Sequence, residues 1–254
     1  MKTRIFTDSW AMSKRSLTTT FRSPDAFGMA IIAPAFLMWL FGTVFSGVMD
    51  FGSYSVIDFI VPGIILQAVG QGTTATAITV NNDMTKGIID RFRSMPIAKS
   101  AVLTGHVLAA TVRNIITAAI IIGVAIMIGF RPQAGVLDWL IIAGVLVLFM
   151  LAITWMAVIA GLLAKTPEGA GSMLFLLFIL PYISSGFVPI ETLSGGLRWF
   201  AANQPMTPII DVVRGLMLGV PVNGNTMALA LGWCVGFIVL SFVVAVQVYK
   251  HKIR

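Results

Sequence analysis

The sequence has 254 residues, of which 57% are hydrophobic and only 11% are charged, and its mean hydropathy is +0.94. Soluble domains carry about 25% charged residues, so this composition excludes a soluble protein, and the single cysteine, Cys234, excludes an intrachain disulfide. The sequence therefore predicts an all-α, polytopic membrane protein that forms one domain over residues 1–254.

The chain begins with an amphipathic segment at residues 1–24. Apolar and aromatic residues recur there at helical spacing, and the arginines fall on the opposite face: Phe6, Trp10, Leu17 and Phe21 against Arg4, Arg15 and Arg22. A basic helix with an aromatic-lined apolar face tends to lie in the membrane interface. Residues 1–24 are therefore predicted to form an interfacial helix that ends at Pro24, and a disordered basic tail is the alternative.

Six apolar runs follow this segment, and each is near the roughly 20 residues that span a bilayer core. They lie at about residues 27–49, 57–81, 101–129, 137–164, 170–188 and 226–248. The fifth run is the shortest and is broken by Pro181. The pattern predicts six transmembrane helices.

The basic residues are distributed unevenly between the two ends of these runs. Thirteen of the seventeen lysines and arginines fall on one side, and only Arg131, Arg198 and Arg214 fall on the other, with Arg113 inside the third run. The positive-inside rule therefore predicts that both termini and residues 83–99 lie in the cytoplasm. This sidedness also argues against nucleic acid as the partner that explains the net charge of +7.

The longest polar interruption, residues 83–99, separates the second run from the third. Its apolar residues follow helical spacing with charged residues on the other side: Met84, Ile88, Ile89 and Phe92 against Lys86, Asp90 and Arg93. Pro96 then stops the pattern. Two interpretations stay open, a short helix at the membrane surface that is offered to a partner protein and a solvated loop.

Residues 187–225 are too apolar for an ordinary loop, and prolines and glycines break them too often for a span. Two short helices fit, at residues 193–202 and 208–218, and we interpret the whole segment as a re-entrant outer segment between spans five and six. Asp211 and Arg214 are three positions apart on the second helix, so they lie on one face. We predict that this pair holds the helix against the spans, and that exchanging the two charges restores part of the function lost in either single variant.

Four of the polar residues within the spans are candidates for a functional role: Gln67 and Gln71 in the second, and Arg113 and Asn114 in the third. An ionisable group inside a membrane indicates function by default. The alternative is structural, because glutamines and asparagines form hydrogen bonds between helices, and Arg113 can reach the interface or pair with Glu168. The sequence leaves both readings open.

The sequence carries no pattern of a catalytic or metal site. It has no GxxxxGK[ST] stretch, so no nucleotide site of its own is expected. The two histidines, His106 and His251, lie far apart and make no metal set with Cys234. The chain is therefore not expected to be an enzyme.

Four stretches carry a family resemblance: KRSLTTTFRSP before the first run, residues 83–96, SGFVPIETL, and NQPMTPIIDVVRGLMLG. Through them the whole chain resembles the ABC-2-type transporter permeases and is similar to the daunorubicin-type drug exporter permeases. There are departures. Gln204 separates Asn203 from Pro205, and Ser194-Gly195-Gly196 stands where a second proline is common.

The resemblance implies the permease subunit of an ATP-driven exporter in the plasma membrane of a prokaryote. Two copies of a separate cytoplasmic ATPase would bind ATP and Mg, and this chain would hold no cofactor. A second permease chain, the same or a related one, would complete the pathway within the bilayer. The substrate is expected to be amphipathic or lipid-like, such as a drug, an antibiotic or a glycolipid.

The resemblance also assigns roles to particular residues. ATPase coupling would fall to Lys86, Gly87, Ile88, Ile89, Arg91, Phe92 and Pro96. The outer gate would comprise Pro189, Asn203, Pro205, Thr207, Asp211 and Arg214. Two alternatives from other classes are a secondary transporter, which normally has coupling carboxylates within its spans, and a membrane scaffold that transports nothing.

Overall fold

The computed structural model describes residues 24–44, 54–85 and 99–252, and these ranges contain helices and no β-strand. The helices in these ranges are α1 Pro24–Val44, α2 Val56–Thr85, α3 Lys99–Ile128, α4 Val136–Leu163, α5 Pro167–Ser172, α6 Phe175–Ile179, α7 Gly195–Asn203, α8 Met206–Met217 and α9 Gly224–Lys252. Two 3-10 helices, Leu180–Ile183 and Ile190–Thr192, follow α6. The interfacial helix predicted for residues 1–24 lies outside the described residues except for Pro24.

Four of these helices are long and apolar enough to cross a membrane: α2, α3 from Leu103 onwards, α4 and α9. The predicted class, an all-α protein with several membrane-spanning helices, is confirmed. The first predicted span corresponds to α1, whose apolar part, Ile32–Val44, is shorter. The described residues thus contain four clear spanning helices, and the count of six stays a prediction.

The fifth predicted span is divided into short pieces, α5, α6 and the 3-10 helix Leu180–Ile183. Thr166 begins α5, because its hydroxyl accepts the backbone N–H of Gly169 at 3.1 Å. Gly169 and Gly171 are poor helix formers, and Pro181 lies in the first turn of the 3-10 helix. Low helical propensity in so short a run explains why one continuous helix does not form.

Helix α2 is the most buried of the four spanning helices, and α9 is the least buried. Helix α2 packs against α1, α3, α4, α5 and α8, whereas α9 packs mainly on α4 and α8. The core around it includes Ile60, Ile64 and Leu66 from α2, Phe149 from α4 and Ile210 from α8. Helix α2 has 30 residues and contacts most of the other helices, so it connects both ends of the bundle.

The two short helices predicted within residues 187–225 occur as α7 and α8, and each boundary lies within two residues of the prediction. Helix α8 buries Ile209, Ile210, Val212 and Val213 against α2, α4 and α9. An apolar face of this kind is what the helical spacing of these residues predicts. We call this side of the bundle the α8 end, and the opposite side, where α2 ends and α3 begins, the junction end.

Candidate functional site

Arg214 of α8 connects three parts of the fold. Its Nε donates to the carbonyl oxygen of Phe59 in α2 at 3.1 Å, its Nη1 donates to Asp211 at 3.1 Å, and its Nη2 donates to the carbonyl oxygen of Ser185. The guanidinium carbon also lies 3.8 Å from the centre of the Phe59 ring, which is a cation–π arrangement. These contacts fasten α8 to the start of α2 and to the turn after the first 3-10 helix.

The two members of the Asp211–Arg214 pair differ in burial. The side chain of Arg214 is 11% exposed and that of Asp211 is 38% exposed. Carbonyl oxygens replace water around the more buried guanidinium, which offsets its desolvation. Asp211 and Arg214 also line a recess of about 260 Å³ together with Tyr54, Asn223 and Thr226. The pair is therefore part of a wider contact between α8 and α2, and its effect on transport stays a prediction.

Three predicted gate residues lie in and next to the turn between α7 and α8. Asn203 is exposed, and its side-chain amide donates back to the carbonyl oxygen of Trp199 at 2.8 Å. Pro205 precedes α8 as its N-cap residue. Thr207 is buried, and its hydroxyl donates to the carbonyl oxygen of Ala201. These bonds are local, so they hold the turn between α7 and α8 together.

Sequence reasoning missed Gln204, which it treated as an interruption of the motif. Gln204 is buried, and its Nε2 donates to the carbonyl oxygens of Leu180 at 3.2 Å and Ile183 at 3.4 Å. Its Oε1 accepts the backbone N–H of Met206 at 3.3 Å. The side chain therefore joins the α7–α8 turn to the 3-10 helix. A signal was available, because a lone glutamine in an apolar segment must find hydrogen-bond partners once it is buried.

The turn at residues 184–186, which Arg214 contacts, lies directly against α2. A Cβ atom at Gly63 of α2 would come within 2.7–2.9 Å of backbone atoms of Gly186, closer than real side chains pack. Ser184 shapes this turn, because its hydroxyl donates to the carbonyl oxygen of Pro181 and accepts the N–H of Gly186 at 3.0 Å. Small residues permit such close backbone contact between membrane helices.

Pro189, the remaining predicted gate residue, does not join the Arg214 contacts. It precedes the 3-10 helix Ile190–Thr192, and its carbonyl oxygen accepts the Thr192 hydroxyl at 2.7 Å. The structure thus brings Asp211 and Arg214 together, places Asn203, Pro205 and Thr207 around one turn, and keeps Pro189 apart.

An apolar cavity of about 440 Å³ lies beside the α7–α8 turn. Its walls come from α4, α6, α7, α8 and α9, with Ile153, Leu177, Trp199 and Phe237 among them. Gln204 is one of its few polar residues. Ligand sites in proteins are mostly apolar and measure about 300–1,000 Å³. This cavity can therefore accept the hydrocarbon or aromatic part of a small molecule.

Arg113 and Asn114 lie near the middle of α3. Arg113 Nη2 donates to the carbonyl oxygen of Gly72 and, at 2.9 Å, to the hydroxyl of Thr76, both on α2. Asn114 is buried, its Oδ1 lies so close to Gly72 that a Cβ atom there would clash, and neither of its amide atoms has a hydrogen-bond partner. The structure thus brings both side chains to one point on α2.

The other predicted polar residues of the spans differ in their surroundings. Gln67 of α2 is buried, and its Oε1 has no hydrogen-bond partner. Gln71, one residue before Gly72, is half-buried. Glu168, considered above as a partner of Arg113, is exposed in α5, and the two do not form an ion pair.

At the junction end, polar contacts join the ends of three helices. Asp83 of α2 and His106 of α3 approach to 3.1 Å. Asn81 donates to the carbonyl oxygens of Gly161 at 3.1 Å and Ala164 at 2.7 Å, at the end of α4. The predicted coupling residues between Lys86 and Pro96 lie outside the described residues, so these contacts flank them on both sides.

Within residues 24–44, 54–85 and 99–252, no group of three or more His, Cys, Asp or Glu side chains could hold a metal ion. The described residues thus form a helical bundle with an apolar cavity. Arg113, Asn114 and Gln67 are polar residues within its spans, and Arg214 holds α8 against α2 at one end.

Comparison with known proteins agrees with this arrangement. The profile of the family described as ABC-2 type transporter matches residues 7–218. The daunorubicin resistance ABC transporter permease protein DrrB1 of Streptomyces coeruleorubidus is 27% identical over 225 residues, which cover 87% of this chain and 78% of that protein. A probable doxorubicin resistance ABC transporter permease protein, DrrC of Mycobacterium tuberculosis, is 27% identical over 219 residues, or 84% of this chain and 78% of that protein. The family match includes α1 to α8, with the α7–α8 segment, and ends before α9. The chain belongs to the ABC-2 type transporter family of membrane permeases.

Proposed function

We propose that the chain is the permease subunit of an ATP-driven exporter that moves amphipathic or lipid-like molecules, such as drugs, antibiotics or glycolipids, out of the cell. In this proposal it crosses the plasma membrane of a prokaryote six times, with α1 as the first span and α5–α6 within the fifth. Both termini and the junction end face the cytoplasm, and the re-entrant α8 end faces outwards. The sidedness of the basic residues supports this orientation.

The observation that carries the substrate class is the apolar cavity of about 440 Å³ beside the α7–α8 turn. An amphipathic molecule needs an apolar site for its hydrocarbon or aromatic part and a polar exit for its head. The cavity offers the first, and the recess beside Asp211 and Arg214 offers the second. Helix α8 lines both, because Ile209 lies in the wall of the cavity and Arg214 in the wall of the recess.

Helix α8 is then the outer gate, and the hydrogen bonds of Arg214 hold it in the closed position. Helix α8 contacts α2, α4 and α9, so its displacement would open the cavity towards the outside. The hydrogen bonds of Arg214 to Phe59 and Ser185 make α2 and the turn at residues 184–186 move together with α8.

Coupling to ATP hydrolysis would run along α2. Two copies of a separate ATPase would bind ATP and Mg and hold the segment around residues 86–96, which provides the apolar face and flanking charges of a helix that docks in a groove. Asp83 and His106, which precede and follow that segment in the sequence, join α2 to α3. Helix α2 has 30 residues and is about 45 Å long, so a push at Asp83 reaches Phe59 and hence Arg214. A second permease chain, the same or related, would complete a two-fold arrangement.

Export measured in cells tests the proposal. The chain is co-expressed with a candidate partner ATPase, and accumulation of a fluorescent amphipathic dye is followed. We expect lower dye accumulation with the active pair, and full accumulation when the ATPase carries a substitution of its catalytic glutamate. An ionophore that dissipates the proton gradient should leave export intact while ATP is maintained.

Two outcomes would contradict the proposal. Export that stops with the ionophore but survives the inactive ATPase favours a secondary transporter. No export in any arm, although the two proteins co-purify, favours a scaffold.

Phe92→Ala tests the coupling segment, with exposed Phe36→Ala in α1 as a matched control. Phe92→Ala should abolish export or co-purification and Phe36→Ala should not, and equal behaviour would support the solvated-loop interpretation.

A further inference from the structure

Arg113 is a charged group within a span that has no counter-charge among the described residues. The contacts between acidic and basic side chains in this part of the chain are Asp83–His106 and Asp211–Arg214, and the partners of Arg113 are a carbonyl oxygen and a hydroxyl. Charges inside membrane proteins pair with one another or with backbone carbonyls, and Arg113 has the carbonyl oxygen of Gly72 as such a partner. Both bonds use Nη2, so the N–H groups on Nε and Nη1 form no hydrogen bond with the described residues and can still bind an anion.

The depth of Arg113 limits which anion can bind there. Its acceptors on α2, Gly72 and Thr76, precede Asp83 by eleven and seven residues. At about 1.5 Å per residue, the guanidinium lies roughly 10–16 Å from the level of Asp83. The hydrocarbon core is about 30 Å thick. A lipid phosphate at the membrane surface is therefore too far away unless the lipid is drawn into the protein.

Asn114 gives a second and independent indication of a ligand. Its side chain is 1% exposed, and both of its amide atoms lack a partner. Buried amides almost always form hydrogen bonds. Asn114 and Arg113 both contact α2 at Gly72. The side-chain amide of Asn114, which has no hydrogen-bond partner, therefore lies near the guanidinium of Arg113, which forms its hydrogen bonds through Nη2 alone.

The four long spanning helices of a second copy of this chain would not bring an acid to this depth. The acidic residues of the spanning helices are Asp58 and Asp138, in first turns, and Asp83, in the last turn of α2. Helices α3 and α9 contain no aspartate or glutamate. An anion at Arg113 is thus better explained by a molecule that enters the bundle than by one of these four helices in a second permease.

We propose that Arg113 and Asn114 bind the acidic head group, a carboxylate or a phosphate, of the exported molecule, so that the cargo is an anionic amphipath. The guanidinium fork matches both groups geometrically, and its hydrogen bonds to them are charge-assisted. An organic cation would be repelled at the same point. This inference rests on the proposed export function, whose cargo it narrows.

Binding to the purified full chain in phosphatidylcholine nanodiscs tests the inference. Three fluorescent probes share one alkyl chain and end in a carboxylate, a hydroxyl or an ammonium group. We expect the carboxylate probe to bind about tenfold tighter than the hydroxyl probe, the difference typical of a charge-assisted hydrogen bond, and the ammonium probe to bind most weakly. Arg113→Gln keeps N–H donors for Gly72 and Thr76 and should abolish the preference. Arg198→Gln, which changes an exposed arginine of α7, should preserve it.

Equal binding of the three probes, or an unchanged preference in folded Arg113→Gln, would overturn the inference. Should Arg113→Gln fail to fold, Thr76→Val removes one neutral acceptor and leaves the charge. It should keep or strengthen the carboxylate preference, and loss of that preference would mean that Arg113 only holds α3 against α2.

Competition by short-chain phosphatidic acid separates the two sources of the acid. Displacement of the carboxylate probe identifies a lipid phosphate as an occupant, and no displacement assigns the site to carboxylate cargo. The titration needs neither ATP nor the ATPase. Loss of the charge preference with ATP-driven export intact would therefore refute only this inference, whereas a retained preference without ATP-driven export would refute only the exporter.

Discussion

Replacing Arg214 with alanine removes the contact between α8 and α2 at its most connected point. The substitution deletes hydrogen bonds to Phe59, Ser185 and Asp211 together with the cation–π contact. Hydrogen bonds to charged groups contribute about 1.5–3 kcal/mol each, but they are not additive. Their joint loss leaves two carbonyl oxygens without this donor, and we expect Arg214→Ala to cost about 3–5 kcal/mol in total.

Asp211→Ala should cost much less, although it removes the opposite charge of the same pair. Arg214 keeps its carbonyl acceptors and the Phe59 ring, and Asp211 is 38% exposed, so the lost attraction is about 1 kcal/mol or less. The contacts also change the expectation for the exchanged charges. An aspartate at position 214 would face the carbonyl oxygens of Phe59 and Ser185, so the double exchange should rescue poorly, whereas Arg214→Lys should retain part of the function.

Thermal unfolding of the purified variants and export at matched membrane expression measure these effects. With about 2–4 °C per kcal/mol for a chain of this size, Arg214→Ala should lower the melting temperature by about 6–20 °C and Asp211→Ala by about 4 °C or less. Equal losses in the two variants would mean that the ion pair, and not the carbonyl contacts, holds α8. Full stability and export in Arg214→Ala would refute the proposal that Arg214 holds α8 against α2.

Three further predictions follow from the packing and the charge distribution. Gly63→Ala should impair folding or export because the added Cβ meets the backbone of Gly186, and wild-type yield and export would contradict this close contact. Gln204→Leu should lower the melting temperature by several degrees, since buried carbonyl oxygens lose their donor; an unchanged value would remove Gln204 from the turn's support. In a Cys234→Ser background, a cysteine at Gly224 should react with an impermeant thiol reagent in whole cells and one at Lys86 should not, and the reverse pattern would invert the orientation.

Local signals were enough to predict much of the α8 end. Prolines and glycines marked the two short helices to within two residues, and spacing alone put Asp211 next to Arg214. The other acceptors of Arg214 were not predictable, because they are carbonyl oxygens of Phe59 and Ser185, 155 and 29 residues away along the chain. A backbone acceptor leaves no trace in the sequence.

The polar residues of the spans show the same limit. The sequence identified Arg113 and Asn114 as unusual but could not choose between reaching the interface, pairing with Glu168 and binding substrate. That choice depends on how α3 is turned against α2, and the contact at Gly72 now provides this rotation. Gln204 and His106 were undervalued for a related reason, because their importance comes from partners on other elements.

Transport by the purified permease and its ATPase in sealed liposomes is the most direct test of the proposed exporter. With the ATPase on the outside, ATP and Mg should drive an amphipathic dye into the lumen, and the dye should stay outside when ATP is replaced by a non-hydrolysable analogue. A proton gradient without ATP should cause no accumulation. Accumulation driven by the gradient alone, or none under any condition from a correctly assembled complex, would contradict the account.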